Sequence, residues 1–381
     1  MREAHRPVRF FLRAQESMSL IVDSHQDLAW NILSFGRDYT RSAYETRRLE
    51  QGSLAATHNG DTLLGWPEYQ QAQVAVIFST LFSTPARWAY EWETLVYHTP
   101  QEAHVQYRRQ LDVYQRLTGD HPDKFRLITS ASILDDVLAC QQGAFPAGQA
   151  YPVGLLPLME GADGILAFDE LEEWWQGGLR MIGPAWAGTR FCGGTKEPGT
   201  LTHAGRNLLA AMAEPGFMLD LSHMDEAAAL EALDIYPGSI AATHGNCLAL
   251  LPGHEYNRHL SDRLIRGLLE RDGIIGVVPY NTFLKDGWLV GKSDRQEVGL
   301  EHLVDHVDHI CQLAGDARHV GIGSDFDGGF GLQSTPRQVD TIVDLQKLVP
   351  LLLSRGYSEE DAAAVLGGNW IRHLRKNLPA L

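Results

Sequence analysis

Side chains of types that can bind metal follow short apolar runs at five places in this chain. Leu20-Ile21-Val22 leads into Asp23-Ser24-His25-Gln26-Asp27, and Val153-Gly154-Leu155-Leu156-Pro157-Leu158-Met159 leads into Glu160. The run from Phe217 ends at His223, that from Ile240 at His244, and that from Val320 at Asp325. Neutral imidazole and carboxylate oxygen are the donors that zinc takes in hydrolytic sites. Alternate residues of a strand share a face, so His25 and Asp27 can aim at one ion. Glu160, behind a buried run, would cost several kcal/mol if left unpaired. Each group also has a plainer reading: a surface or capping pair for His25 and Asp27, a salt bridge to a buried arginine for Glu160, hydrogen-bonded core histidines for His223 and His244. The recurrence of the pattern favours a metal centre.

Glutamate suits a bridge. His25, Asp27 and Glu160 would hold one ion, and Glu160, His223 and His244 a second. Two ions a few ångströms apart can hold a bridging hydroxide and polarise a carbonyl, which is the chemistry of amide hydrolysis. Asp325 follows Gly321-Ile322-Gly323-Ser324, whose small residues let the backbone crowd the site. An acid there can take a proton from water and return it to the leaving amine. Asp327 competes for that role, with turn stabilisation as its simpler reading. No lysine ends a predicted strand ahead of the two histidines, so a carboxylated-lysine bridge is disfavoured. His-x-Asp, in place of His-x-His, argues against a mononuclear deaminase.

Groups so far apart in sequence need a scaffold that gathers strand ends. Strand-like runs near 19–23, 74–79, 153–159, 179–184, 216–221, 238–243, 273–278 and 319–324 alternate with helix-like stretches. The helical stretches are 101–118, 131–142, 202–214, 225–234, 260–271, 296–314, 336–355 and a terminal helix from 358. Such alternation predicts an α/β fold with a parallel sheet, and eight repeats predict a (β/α)8 TIM-type barrel. Its active site would lie at the C-terminal strand ends, and the five clusters fall on strands 1, 3, 5, 6 and 8. Residues 80–150, with Trp88, Tyr90, Trp92 and Tyr97, form an enlarged helical connection before strand 3, expected to pack outside the barrel and roof part of the site. Residues 18–381 are expected to be one domain, behind a disordered arm over 1–17.

Composition narrows the partners. The chain has 381 residues, 44% hydrophobic and 21% charged, which is ordinary for a globular protein. A net charge of −16 argues against nucleic acid, whose phosphates are bound by neutralising them. No run reaches the roughly 20 apolar residues of a membrane span, and the start lacks the apolar core of a secretory signal. A cytoplasmic protein, off the membrane and acting on a small-molecule substrate, is expected. The cysteines lie far apart with no Cys-x-x-Cys pair, which favours reduced thiols.

Further segments carry a resemblance. Val22-Asp-Ser-His-Gln-Asp27, Met159-Glu-Gly-Ala162, Leu219-Asp-Leu-Ser-His223, Thr243-His-Gly-Asn246, Asn257-Arg258 with Asp262, Asp305-His-Val-Asp-His309, Val320-Gly-Ile-Gly-Ser-Asp-Phe-Asp-Gly328 and Leu366-Gly-Gly-Asn369 follow one another along the chain. In these residues and their order the chain resembles the membrane dipeptidase (renal dipeptidase) family of zinc peptidases, among the amidohydrolase-like barrels. The resemblance implies two zinc ions (Zn2+) held by His25, Asp27, Glu160, His223 and His244, with Glu160 bridging and Asp325 as acid/base. It also implies that Arg258, with Asn257 beside it, grips the substrate's free carboxylate, a task suited to a guanidinium fork. Hydrolysis of dipeptides, tolerance of a D-residue at their C-terminal position, and a homodimer follow from the same resemblance.

One position departs from the family. Where it has a histidine that steadies the oxyanion after strand 4, this chain reads Met181-Ile-Gly-Pro-Ala-Trp186. Indole offers one N–H and no charge, and loss of an oxyanion donor costs about 2.7–4 kcal/mol of transition-state stabilisation. Trp186 can instead narrow the pocket or stack on a substrate ring. His203 is a candidate substitute donor, with a solvent-facing helix start as its simpler reading. Three readings follow: a dinuclear zinc dipeptidase; the same metals acting on an N-acyl amino acid, lactone or β-lactam-like ring; and a catalytically impaired binding barrel.

Overall fold

All eight runs expected to be strands form strands in the computed structural model, which describes residues 18–141, 150–254 and 257–381. They are β1 (Ile21–Gln26), β2 (Val74–Leu81), β3 (Val153–Glu160), β4 (Met181–Gly183), β5 (Met218–Asp220), β6 (Ile240–Ala241), β7 (Ile275–Val277) and β8 (Val320–Ile322). Every neighbouring pair is parallel, in the order β6-β5-β4-β3-β2-β1-β8-β7. A bridge between Ala242 and Ile275 brings β6 to β7 and rounds the sheet into a barrel. The arm expected over 1–17 lies outside the described residues.

The strands are buried along their length and mostly apolar, because both faces are covered; the polar residues fall chiefly towards their C-terminal ends. Val22, Val76, Phe78, Leu156, Leu158, Met181 and Met218 form one cluster, into which Trp370 and Leu374 of the helix Asn369–Asn377 pack. Trp370 seats on Phe78 with ring centroids 5.0 Å apart. The residues of opposite parity, among them Ile21, Ile77, Leu155 and Ile182, join the second cluster. Strand alternation thus divides the apolar residues between two faces.

The helices between strands follow the expectation closely where they are long. The helix Pro100–Asp120 begins with a reciprocal Thr99–Glu102 capping box and Pro100 in its first turn. Residues 336–355, expected to be one helix, divide into a 3-10 segment Ile342–Lys347 and the helix Leu348–Ser354. Pro350 lacks an N–H and fits only the first turn of a helix, so the α-helix starts just ahead of it. Between β1 and β2 lie four short helices that the periodicity did not reveal: Leu28–Phe35, Ala43–Leu49, Leu54–His58 and Trp66–Ala72. A short strand, Phe125–Leu127, pairs in parallel with β3 beyond the expected eight.

The enlarged connection over 80–150, as far as it is described, crosses the rim. Trp92 stacks on His58 at 4.5 Å and meets Trp30 edge-on at 6.2 Å. Trp88 Nε1 donates to Glu197 Oε1 at 2.9 Å, on a small antiparallel hairpin formed by Cys192–Gly194 and Glu197–Leu201. Among the described residues no helix is long and apolar enough to cross a membrane.

Candidate metal centre

The barrel mouth gathers the five expected ligands. Glu160 is the last residue of β3, and its Oε1 lies 2.9 Å from His223 Nε2, 3.3 Å from His244 Nε2 and 3.8 Å from His25 Nε2. His25 Nε2 also lies 3.7 Å from Asp27 Oδ2 and 3.9 Å from Asp325 Oδ1. Donor atoms of His25, Glu160 and His244 fall within 4.8 Å of one another, as do those of His25, Asp27 and Asp325. His25 therefore stands between two groups of ligands, and Asp325 joins the second more closely than the sequence suggested.

Local backbone explains the convergence. The pairing of β1 with β2 shifts register between Asp23 and Gln26, which breaks strict alternation and re-aims the end of the strand. Asp27 lies past β1, at the N-cap of the helix Leu28–Phe35, so its approach to His25 comes from this turn as much as from strand period. His223, His244 and Asp325 sit in the loops after β5, β6 and β8. His223 (φ 66°) and Asp325 (φ 56°) adopt left-handed backbone, unusual for residues with a Cβ and typical of positions where function holds the strain. Gly276 and Gly323 allow the close packing beneath: a Cβ at either would run into Thr243 O and Ser24 Oγ.

Two threonines orient the histidines. Thr243 Oγ1 donates to Asp220 Oδ2 at 2.6 Å and lies 3.0 Å from His244 Nδ1. With its proton given to Asp220, the oxygen accepts from Nδ1–H, which leaves the Nε2 lone pair facing Glu160. Thr195 Oγ1 lies 3.0 Å from His223 Nδ1 and steadies the orientation of that ring. Thr195, Asp220 and Thr243 were not read as functional from sequence. The signal was nonetheless there, in an acid three residues before His223 and a threonine directly before His244.

Electrostatics agree with a cationic occupant. Burial pushes Glu160 well above the usual carboxylate range and Asp325 up to about 7. Burial opposes charge on His25, yet Glu160, Asp27 and Asp325 outweigh it and hold its pKa up to about 10. Burial, with Arg258 and the neighbouring histidines, keeps His223 and His244 far below the ordinary imidazole value, hence neutral donors. Two neutral nitrogens 2.9 Å apart face one carboxylate oxygen, while Asp27 Oδ1 is buried with no hydrogen-bond partner. This donor set fits divalent metal, whose charge would relieve the crowded carboxylates.

The substrate-side residues separate. Arg258 is buried; its Nη2 donates to His244 O at 2.9 Å, and its Nε and Nη1 have no hydrogen-bond partner. Trp186 lies beside the ligands, its ring 6.2 Å from that of His223. Asn257, expected beside the substrate carboxylate, is held by the chain itself: its Nδ2 donates to Gly194 O at 2.9 Å and Asp225 Oδ2 at 2.8 Å, and its Oδ1 accepts from Lys196 N at 2.9 Å. Its amide braces the hairpin. His203 opens the helix His203–Ala213 on the exposed surface, matching its simpler reading. Asp327 does not compete with Asp325. Its carboxylate accepts from Tyr39 Oη at 2.9 Å and Leu63 N at 3.1 Å, pairs with Arg37 Nη1 at 3.1 Å, and so ties the segment after β1 to the loop after β8.

Comparison with known proteins fits this geometry. The family described as membrane dipeptidase (peptidase family M19) matches residues 10–378. The chain belongs to this family. Among its relatives, an uncharacterized protein from the pqqA 5' region of Klebsiella pneumoniae is 30% identical over 280 residues, covering 70% of this chain and 94% of that protein. The dipeptidase tcpJ of Claviceps purpurea is 27% identical over 314 residues, covering 80% of this chain and 67% of that protein. Two solved structures share the fold over most of the chain. A metallo peptidase from Rhodobacter sphaeroides, liganded with a phosphinate mimic of L-Ala-D-Ala, has a TM-score of 0.74 at 23% identity and covers 94% of this chain and 99% of that one. The probable dipeptidase PvdM from Pseudomonas aeruginosa has a TM-score of 0.75 at 18% identity and covers 94% of this chain and 96% of that one. Membership places the chain among the metal-dependent dipeptidase hydrolases.

Proposed function

We propose that this protein is a dinuclear zinc dipeptidase that cleaves the amide bond of small dipeptides, including those with a C-terminal D-residue. The observation that carries the reading is a buried guanidinium with two unpartnered nitrogens, Arg258, beside a cluster of metal ligands. His25, Asp27, Glu160, His223 and His244 would hold the ions, with Glu160 shared. Divalent metal bound there supplies a Lewis acid for the carbonyl and an activated water at neutral pH.

The chain's own groups do the rest. Arg258 receives the substrate carboxylate on its free donors, and this fixes the amide in register with the ligand cluster. Asp325, buried and held near neutrality, takes a proton from the attacking water and delivers it to the departing amine nitrogen. The cleft that reads a terminal carboxylate favours dipeptides over longer chains. Trp186 supports a second reading, in which the same centre acts on another carboxylate-bearing amide or lactone, because its ring stands beside His223 where the family carries histidine. A cytoplasmic location and a homodimer complete the proposal.

The test is a hydrolysis screen of zinc-loaded protein against L,L- and L,D-dipeptides, N-acyl amino acids and lactones, each with a C-terminally amidated counterpart where one exists. Dipeptides with free carboxylates should be cleaved, and Arg258→Ala should raise KM chiefly for them. An equal effect on amidated substrates would exclude the carboxylate grip. Turnover of lactones alone would transfer the assignment to the second reading.

A further inference from the structure

Phe82 is held in an unusual way. It follows β2, and both of its backbone polar groups are bound by one side chain: Phe82 N donates to Gln110 Oε1 at 3.0 Å, and Gln110 Nε2 donates to Phe82 O at 2.5 Å. Gln110 is fully buried in the helix Pro100–Asp120. A buried amide satisfied in this way fixes the backbone it binds. Phe82 is half-buried, and its ring meets that of Trp186 at 5.2 Å, tilted by 53°.

Trp186 is fixed as firmly. Its carbonyl accepts from Thr195 N at 2.9 Å, and the same threonine holds His223 Nδ1 through its hydroxyl. The hairpin crowds this backbone: a Cβ at Gly194 would strike Ala187 O. The half-buried Trp186 therefore sets its indole 6.2 Å from the ring of His223, with Phe82 against it.

Topology then assigns the pair to one end of the substrate. Phe82 follows β2 and Trp186 follows β4, on either side of β3 and its Glu160. Arg258 lies between β6 and β7, and its guanidinium sits 5.3 Å from the ring of Phe283, which lies just after β7. In a ring of eight strands β7 stands opposite β3. A substrate whose carboxylate is on Arg258, and whose amide lies over the ligands, must point its acyl part towards Phe82 and Trp186.

We propose that Phe82 and Trp186 form an aromatic clamp that selects substrates by the side chain on the acyl side of the scissile amide, favouring flat or bulky apolar groups. The assignment of ends rests on the dipeptidase reading above. Gln110 is a positioning residue for the clamp. Two rings joined in this way present one continuous apolar surface with little demand for hydrogen bonds, and burying a leucine- or phenylalanine-sized group against it is worth about tenfold or more in kcat/KM.

The experiment compares zinc-loaded wild type, Phe82→Ala and Trp186→Ala on the series Gly-Ala, Ala-Ala, Leu-Ala, Phe-Ala and Trp-Ala. In the wild type kcat/KM for Phe-Ala should exceed that for Gly-Ala by about tenfold or more, and the ratio should fall to about threefold or less in each variant. Trp186→Phe should keep most of the selectivity. A ratio near one in the wild type, or an unchanged ratio in both alanine variants, overturns the clamp. Calorimetric affinities of the same series for Asp325→Asn protein need no turnover. A flat affinity series overturns the clamp, whereas a graded series alongside a wild type that cleaves no dipeptide supports the clamp and overturns the dipeptidase reading.

Discussion

Thr243→Val is the sharpest probe of how the ligands are held. Valine is close to threonine in shape and lacks the hydroxyl, so the principal loss is a polar link. That hydroxyl donates to Asp220 Oδ2 at 2.6 Å, lies 3.0 Å from His244 Nδ1 and 3.3 Å from Ser222 Oγ. Asp220 keeps two backbone donors, Thr243 N at 2.9 Å and Ser222 N at 3.0 Å. The loss is therefore one charge-assisted hydrogen bond, about 1.5–3 kcal/mol, together with the acceptor that fixes the His244 tautomer. A proton that moves to Nε2 occupies the atom aimed at Glu160. Partners of this kind are worth about 10–100-fold in metal affinity, or roughly 1.4–2.7 kcal/mol. Competition with a chromophoric zinc chelator at fixed pH measures the affinity, and urea unfolding of the metal-free protein measures the stability. Zinc affinity within about twofold of wild type, alongside a clear drop in metal-free stability, would show that Thr243 only packs and does not orient the ligand.

Other consequences are as direct. Asp325→Asn should retain bound zinc by elemental analysis and lose about 10²–10⁴-fold in kcat; wild-type turnover would move the acid/base role to another residue. Asp327→Ala, which strips buried Arg37 of one partner and frees the Tyr39 hydroxyl, should destabilise the fold by about 3 kcal/mol in denaturant titrations, and a change below about 1 kcal/mol would refute the bracing role. In metal-free protein His25 is raised from 6.5 to about 10, so the stabilisation it provides is complete below pH 6.5 and is lost as pH rises through 10. Melting temperatures of metal-free wild type should therefore fall between pH 7 and 10 more steeply than those of His25→Gln. Parallel profiles would contradict that linkage.

Much of the barrel is legible because its strands are buried on both faces. Continuous apolar runs bounded by turn residues, such as Val153 to Met159, have few other folds to satisfy. The short helices between β1 and β2 are not legible: segments of five to eight residues show too few turns for a helical period, and packing under the rim holds them. Residues 336–355 carry an apolar period, yet Pro350 decides where the α-helix can begin.

At the site, sequence alone named the chemistry through the types of residue that end the runs: imidazoles, carboxylates and an arginine in a polar loop. It also marked Trp186 as the position to watch. Tertiary structure decided the arrangement, because the distance from Glu160 to His223 or His244 depends on barrel closure and on left-handed turns that no local pattern encodes. It assigned Asn257 to bracing and Asp327 to clamping, since an amide or carboxylate shows its role only through the partners that reach it. Phe82 became visible only beside Trp186: two rings separated by a hundred residues make a surface only when β2 and β4 flank the same strand.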